Sequence, residues 1–207
     1  MIDLTILSPV FYKSLSRVPY FAASVAKWEL VDSMHVYGEG EPFRGWIHSH
    51  VDCLLDELRK VTTSHVMFTD SNDVIFNAGV DVISNCYELL SSPPLLFGVE
   101  ETGLNAGSWM GATETAIEAL KVVQTEHHDG DPQVRWRELF AQGKVDLSLD
   151  TRRSVFYVGH GEGVKWVGPD PMWHDEVPCV IHLAGGYTDP EHGRNAELGE
   201  WWDKLNK

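Results

Sequence analysis

The sequence is poor in sulfur and in positive charge, and it has no long apolar run. Its three cysteines, Cys53, Cys86 and Cys179, are odd in number, far apart and without a Cys-x-x-Cys pair. That excludes a disulfide framework and predicts reduced thiols in a cytoplasm-like compartment. Lys and Arg total 16 against 31 Asp and Glu, a formal charge of −15. Such a balance disfavours a broad electrostatic footprint on nucleic acid, although it leaves room for a local basic patch. No twenty-residue apolar stretch is present, so no membrane-spanning helix is expected. Met1-Ile2-Asp3-Leu4 has no basic segment leading into an apolar one, so no secretory signal is expected either. Internal repeats and low-complexity segments are absent, and no feature specifies an oligomeric state.

What the chain does have is enough apolar material for a core: 43% of 207 residues, with eight tryptophans, which suits one α/β domain. Its most informative stretch is Val66-Met67-Phe68-Thr69-Asp70-Ser71-Asn72-Asp73-Val74-Ile75-Phe76. A β-prone run stops at two carboxylates and then resumes. In an open α/β sheet ligands bind beyond the carboxyl ends of the strands, and Asp70 and Asp73 are close enough in a tight turn to aim at one point. Two hard oxygen donors with room for water and phosphate oxygens suit Mg²⁺ or Mn²⁺ bound through a diphosphate. The same residues also suit a solvated turn.

Around this stretch the pattern is that of a parallel sheet with crossover helices. Asp3–Leu7 reads as a strand, and Phe21, Val25 and Trp28 lie on a helix. Met34–Tyr37 reads as a strand closed by the turn residues Gly38-Glu39-Gly40-Glu41-Pro42. Ser49 stands as the cap of a helix carrying Val51, Leu54, Leu55 and Leu58, with Asp52 as its acidic partner. The β-α-β-α-β order over residues 1–76 predicts a nucleotide-binding half, leaving 95–207 for the donor sugar and the acceptor. A helix from about Asp81 is expected to bury Val82, Ile83, Cys86, Leu89 and Leu90, stopped by Pro93-Pro94. Leu95–Val99 reads as a strand followed by a loop of acids and small residues, Glu100 to Gly107, before a helix opening at Thr113. Asp131-Pro132 predicts a helix start. Val145–Leu149, Ser154–Val158 and Pro178–Leu183 read as strands, Gly159–Pro178 as a lid or acceptor wall, and Asn195 as the cap of a terminal helix.

Four motifs in order, Gly38-Glu39-Gly40-Glu41, Phe68 to Phe76, Leu104-Asn105-Ala106-Gly107 and Ile181-His182-Leu183-Ala184-Gly185-Gly186, make the chain resemble the glycosyltransferase domain of the procollagen lysyl hydroxylases and collagen hydroxylysine glycosyltransferases. The resemblance implies a GT-A fold, a single domain with a Rossmann-like mixed sheet flanked by helices. It implies transfer of a sugar from a nucleotide-sugar, a UDP-sugar in that family, to a hydroxyl group with Mn²⁺, Mg²⁺ being the other candidate. Asp70, Asp73 and His182 correspond to its metal ligands. Ser8 corresponds to a nucleotide-contacting hydroxyl, Asn72 to a tyrosine packing on uridine, and Asn105 and Gly107 to the run beside the donor sugar. Gly185 and Gly186 correspond to the small residues after the metal-binding histidine. Asp131, Glu100 and Glu101 are the acids expected to serve catalysis. Thr188 replaces a lysine of the family, so Arg194 or His192 is expected at the diphosphate.

The acceptor is open between a protein hydroxyl and a hydroxymethylated pyrimidine in DNA, as in virus-coded base modification. For DNA, Arg135, Arg137, Lys144, Arg152, Arg153 and Lys165 would form the phosphate-contacting patch. The rival activities are a metal-dependent phosphohydrolase, since Asp70, Asp73 and His182 suit activation of water equally, and a sugar-nucleotide binding module without catalysis. His48 and His50 form a His-x-His pair of the kind that ligates zinc, but just before a capped helix and without a cysteine partner they are expected at the surface.

Overall fold

Strands that alternate between two covered faces need apolar side chains on both, and the central strands here are apolar on both. The structure, a computed structural model, describes residues 2–11, 18–100, 103–125, 130–160, 178–184, 198–199, 202–203 and 206. The strands are β1 Leu4–Pro9, β2 Met34–Tyr37, β3 His65–Thr69, β4 Val74–Phe76, β5 Leu95–Glu100, β6 Gly103–Ala112, β7 Ser148–Leu149, β8 Phe156–His160 and β9 Val180–Ala184. The helices are α1 Pro19–Lys27, α2 Cys53–Leu58, α3 Val80–Leu89, α4 Thr113–Thr125 and α5 Pro132–Ala141. Among the described residues no helix is long and apolar enough to cross a membrane.

Six strands form one sheet in the order β2-β1-β3-β6-β5-β7, and three form a second in the order β4-β9-β8. β1 runs parallel to β2 and β3, as the β-α-β-α-β reading predicts. β6 reverses this, lying antiparallel to both β3 and β5. One face of the large sheet presents Leu7, Val66, Phe68, Phe97 and Trp109 to α2, α4 and α5. Its other face presents Ile6, Met67, Leu96 and Met110 to residues of α1, α3 and the small sheet. Consecutive residues thus point to opposite cores, as the two-residue strand period requires.

Three elements depart from the sequence reading. The glycine-rich stretch expected as a loop after Glu100 is a ten-residue strand, β6, at the centre of the sheet. Small residues have low β-propensity, and here packing between β3 and β5 overrides it. Ser49 does not cap a helix. The helical backbone begins at Trp46, and Ser49 lies buried inside a π-helical turn, His48–Asp52, that precedes α2. In α3 the buried side is Ile83, Ser84 and Tyr87, whereas Val82 and Leu89 are 44% and 78% exposed, because the helix meets the core through Ile83 and Tyr87 rather than one residue earlier. The terminal cap Asn195 and residues 161–177 of the expected lid lie outside the described residues.

Candidate metal centre

Asp70 follows the last residue of β3, and hydrogen bonds of its own N–H and of the neighbouring serines fix the turn. Its N–H donates to Gly107 O at 2.9 Å. Ser8 Oγ donates to Thr69 O at 2.8 Å and Ser71 Oγ to Pro9 O at 2.6 Å, lacing the ends of β1 and β3 together. Ser8 is fully buried, so its hydroxyl serves this lacing. Asp73 ends the same turn immediately before β4. β4 pairs with β9 so that Val74 faces His182, and Leu183 N–H donates to Asp73 O at 2.8 Å. That register carries a histidine from far along the chain to the side of the two aspartates.

The three side chains meet. His182 Nε2 lies 3.3 Å from Asp73 Oδ1 and 3.6 Å from Asp70 Oδ2, and one ligand atom from each residue falls within 4.8 Å of the others. On the far side of the ring, His182 Nδ1 lies 2.9 Å from Ser108 Oγ. A ring nitrogen engaged in this way leaves the other one presented to the acids, the arrangement that metal-binding histidines adopt.

Charge follows from the geometry. Burial disfavours the imidazolium of His182, but the charge and hydrogen bond of Asp73, with Asp70 and Glu100 behind it, raise its pKa above the ordinary histidine value. Burial pushes the Asp70 carboxyl up, yet the hydrogen bond and charge of His50, with the charge of His182, hold it below the usual range.

The close fit depends on a bulge in β6. Consecutive Phe97 and Gly98 of β5 pair with Trp109 and Asn105, so Ala106, Gly107 and Ser108 are extra residues on β6 that bend toward the site. A Cβ on Gly107 would lie 2.3 Å from Asp70 Oδ2 and 2.6 Å from His182 Cε1. Only glycine lets the strand come this near.

The residues expected to serve the donor sugar and catalysis form a second cluster. Asn105 Oδ1 accepts from Gly107 N–H at 3.0 Å, and its Nδ2 donates to Glu100 Oε2 at 3.1 Å. Glu100 Oε1 accepts from Gln133 Nε2 at 3.0 Å and from Arg137 Nη2. Gln133 Oε1 in turn accepts from Ala106 N–H at 3.0 Å. Asp131 is exposed and caps α5, its Oδ1 accepting from Gln133 N–H at 2.8 Å. Asn72 is half-buried in the Asp70–Asp73 turn. Glu101, Gly185, Gly186, Thr188, His192 and Arg194 lie outside the described residues.

Sequence reasoning missed several participants. His50 is not a surface residue: its side chain is 11% exposed, and its Nε2 lies 2.9 Å from Asp70 Oδ1. The reason is the π-helical turn, which swings it under Phe68 and Trp46. Of the six basic residues named for DNA contact, Lys144, Arg152 and Arg153 are exposed. Arg137 is turned onto Glu100 and Leu104 O, Arg135 is mostly buried against Glu138, and Lys165 lies outside the described residues. Ser108 and Gln133 carried a weak signal only, each lying one or two residues past a singled-out position.

No family model and no curated protein sequence matches the chain. Solved structures do. One is a glycosyltransferase involved in the glycosylation of the major capsid of PBCV-1, with a TM-score of 0.67 and 17% identity over 98% of this chain and 99% of that one. Another is the glycosyltransferase GlyE of Streptococcus pneumoniae TIGR4, with a TM-score of 0.54 and 12% identity over 99% of this chain and 64% of that one. The chain has a GT-A-like fold. Within that GT-A-like fold the Asp70–Asp73 turn leaves the carboxyl end of β3, one of the parallel strands, where open α/β sheets bind their ligands.

Proposed function

We propose that this chain is a metal-dependent glycosyltransferase that moves a sugar from a nucleotide-sugar, of the UDP class, to a hydroxyl acceptor. The observation that carries this reading is the convergence of Asp70, Asp73 and His182 at the carboxyl end of β3 in a fold shared with glycosyltransferases. Two carboxylates and one imidazole, with Ser108 orienting the ring and Gly107 leaving space, fit a divalent ion of the Mn²⁺ kind. Asp70, Asp73 and His182 would hold it. When bound, such an ion neutralises the negative charge that develops on a leaving diphosphate.

The chain's own residues supply the rest. Asn105, Ala106 and Gly107 border the ion ligands and are held in shape by Glu100 and Gln133, which suits a wall for the donor sugar. Asp131 lies at the start of α5, two residues from Gln133, and is the acid assigned here to the acceptor. The residues 1–76 serve the nucleotide and 95–207 the sugar and acceptor. A DNA acceptor draws less support from the charge pattern, since Arg135 and Arg137 are committed to Glu138 and Glu100; a protein hydroxyl is the other acceptor class.

The test is a thermal-shift and turnover screen of the chain with Mn²⁺ and a panel of nucleotide-sugars. Ligands that bind the native state raise its melting temperature, by an amount that grows with the logarithm of their affinity. A Mn²⁺-dependent shift with one preferred donor, together with slow release of that sugar, is the expected result. Rapid cleavage of simple phosphate esters without donor preference would replace the transferase with a phosphohydrolase, and donor binding that never leads to turnover would leave a binding module.

A further inference from the structure

Asp70 has two carboxylate oxygens, and they have different partners. Oδ2 faces His182 Nε2 at 3.6 Å, whereas Oδ1 lies 2.9 Å from His50 Nε2. A carboxylate only accepts hydrogen bonds, so His50 Nε2 carries the proton and donates it. The histidine is secured on its other sides as well. Its Nδ1 lies 2.7 Å from Ser49 Oγ. The rings of Trp46 and Phe68 meet it edge-on with centroids 4.8 and 5.5 Å away. The π-helical turn that aims it is closed by Cys53 N–H donating to His48 O and by Tyr37 Oη donating to Ser49 O at 3.0 Å. Such turns are uncommon and concentrate at functional sites.

We infer that His50 confines Asp70 to one-oxygen ligation and thereby sets which ion the site prefers. The inference rests on the reading of Asp70 as a metal ligand. Mg²⁺ and similar small ions take near-octahedral sets in which each carboxylate gives one oxygen, whereas Ca²⁺ accepts six to eight oxygens and gains from carboxylates that bind through both. With Oδ1 engaged by His50, the hydrogen bond fixes the orientation of the carboxylate and competes with any ion for Oδ1, which disfavours the two-oxygen mode of Asp70. The site thus discriminates against the larger, more abundant-ligand ion without adding any group to the ion's own shell. His50 is a positioning residue: it acts on the ion only through Asp70.

Isothermal titration of the whole chain with Mn²⁺ and, separately, Ca²⁺ tests this on the wild type, His50→Gln and His50→Phe. Loss of an outer hydrogen-bond partner typically costs about 10–100-fold in metal affinity, so His50→Phe is expected to weaken Mn²⁺ by at least about tenfold. Ca²⁺ binding is expected to stay level or tighten, so the Mn²⁺ preference collapses. His50→Gln, whose amide can still donate, keeps most of that preference. Equal weakening of both ions, or an unchanged preference, overturns the inference and leaves the metal centre standing. Failure of the wild type to bind Mn²⁺ overturns the metal centre itself, and the inference with it. Nitrogen-15 spectra of the metal-free wild type and of Asp70→Asn give a check that leaves His50 itself unaltered. A single Nε2–H tautomer of His50 that shifts in Asp70→Asn supports the inference, and a tautomer mixture indifferent to that change overturns it.

Discussion

Two polar clusters share the bulged segment of β6, and they differ in how their charge is balanced. On one side Glu100, 6% exposed, accepts from Arg137, Gln133 and Asn105, so the protein brings its own cation to its own buried acid. On the other side Asp70 and Asp73 converge with His50 and His182, and among the described residues no Lys or Arg pairs with them. Bringing two carboxylates together is costly unless positive charge joins them. The contrast separates architecture from site: the cluster around Glu100 carries its own guanidinium, whereas the paired carboxylates beside His182 suit the divalent ion proposed above.

That contrast can be broken experimentally, beginning with the unbalanced side. Replacing Asp73 or His182 with alanine removes a charge-bearing ligand, and donor-dependent turnover should fall by about 10²–10³-fold or more with the circular-dichroism spectrum retained. Undiminished turnover in both variants would refute the metal centre. Gly107→Ala changes no charge at all, yet its methyl would collide with Asp70 Oδ2 and His182. Loss of about 10–100-fold in Mn²⁺ affinity is expected, the scale seen when ligands are misoriented, and calorimetry would measure it.

The balanced side should respond in stability first. Arg137→Met leaves Glu100 buried without its cation, and because Arg137 is itself 30% exposed the expected loss is about 2–4 kcal/mol, toward the lower end for buried pairs. Denaturant unfolding would measure it, and adding Glu100→Gln should restore much of the loss. Retained stability in Arg137→Met would show that the cluster is not held by charge balance. The smallest effect belongs to Asp131. As an exposed helix cap it should cost about 1 kcal/mol on replacement by alanine, and Asp131→Asn, which keeps the cap, should restore stability. Turnover that falls in both variants while only one is destabilised would assign the carboxylate to catalysis as well as capping.

Much of this was legible along the chain. Strong periodicity and clear punctuation marked β1, β3, β5, α4 and the Asp131-Pro132 start of α5. What stayed hidden did so for definite causes. The first half of β6, Gly103 to Ser108, is written mostly in Gly, Ala, Ser and Asn, residues that read as loop unless neighbours on both sides supply the packing. The side of α3 that faces inward was misjudged by one residue because Val82 and Leu89 are as apolar as the residues that are buried. His50 stands twenty positions from Asp70, and a π-helical turn has no sequence pattern that predicts it.

The sequence alone determined that acids stand at the end of a buried strand, that a parallel β-α-β-α-β unit precedes them, and that no cysteine framework or apolar span competes with that reading. These properties are local, fixed by composition and spacing over a few residues. Tertiary structure decided which distant groups meet those acids: His182 through the pairing of β4 with β9, Ser108 and Gly107 through a bulge, and His50 through a helical turn. Pairing register and bulges are set by the packing of whole strands, so a site assembled from them exists only once the sheet has closed around it.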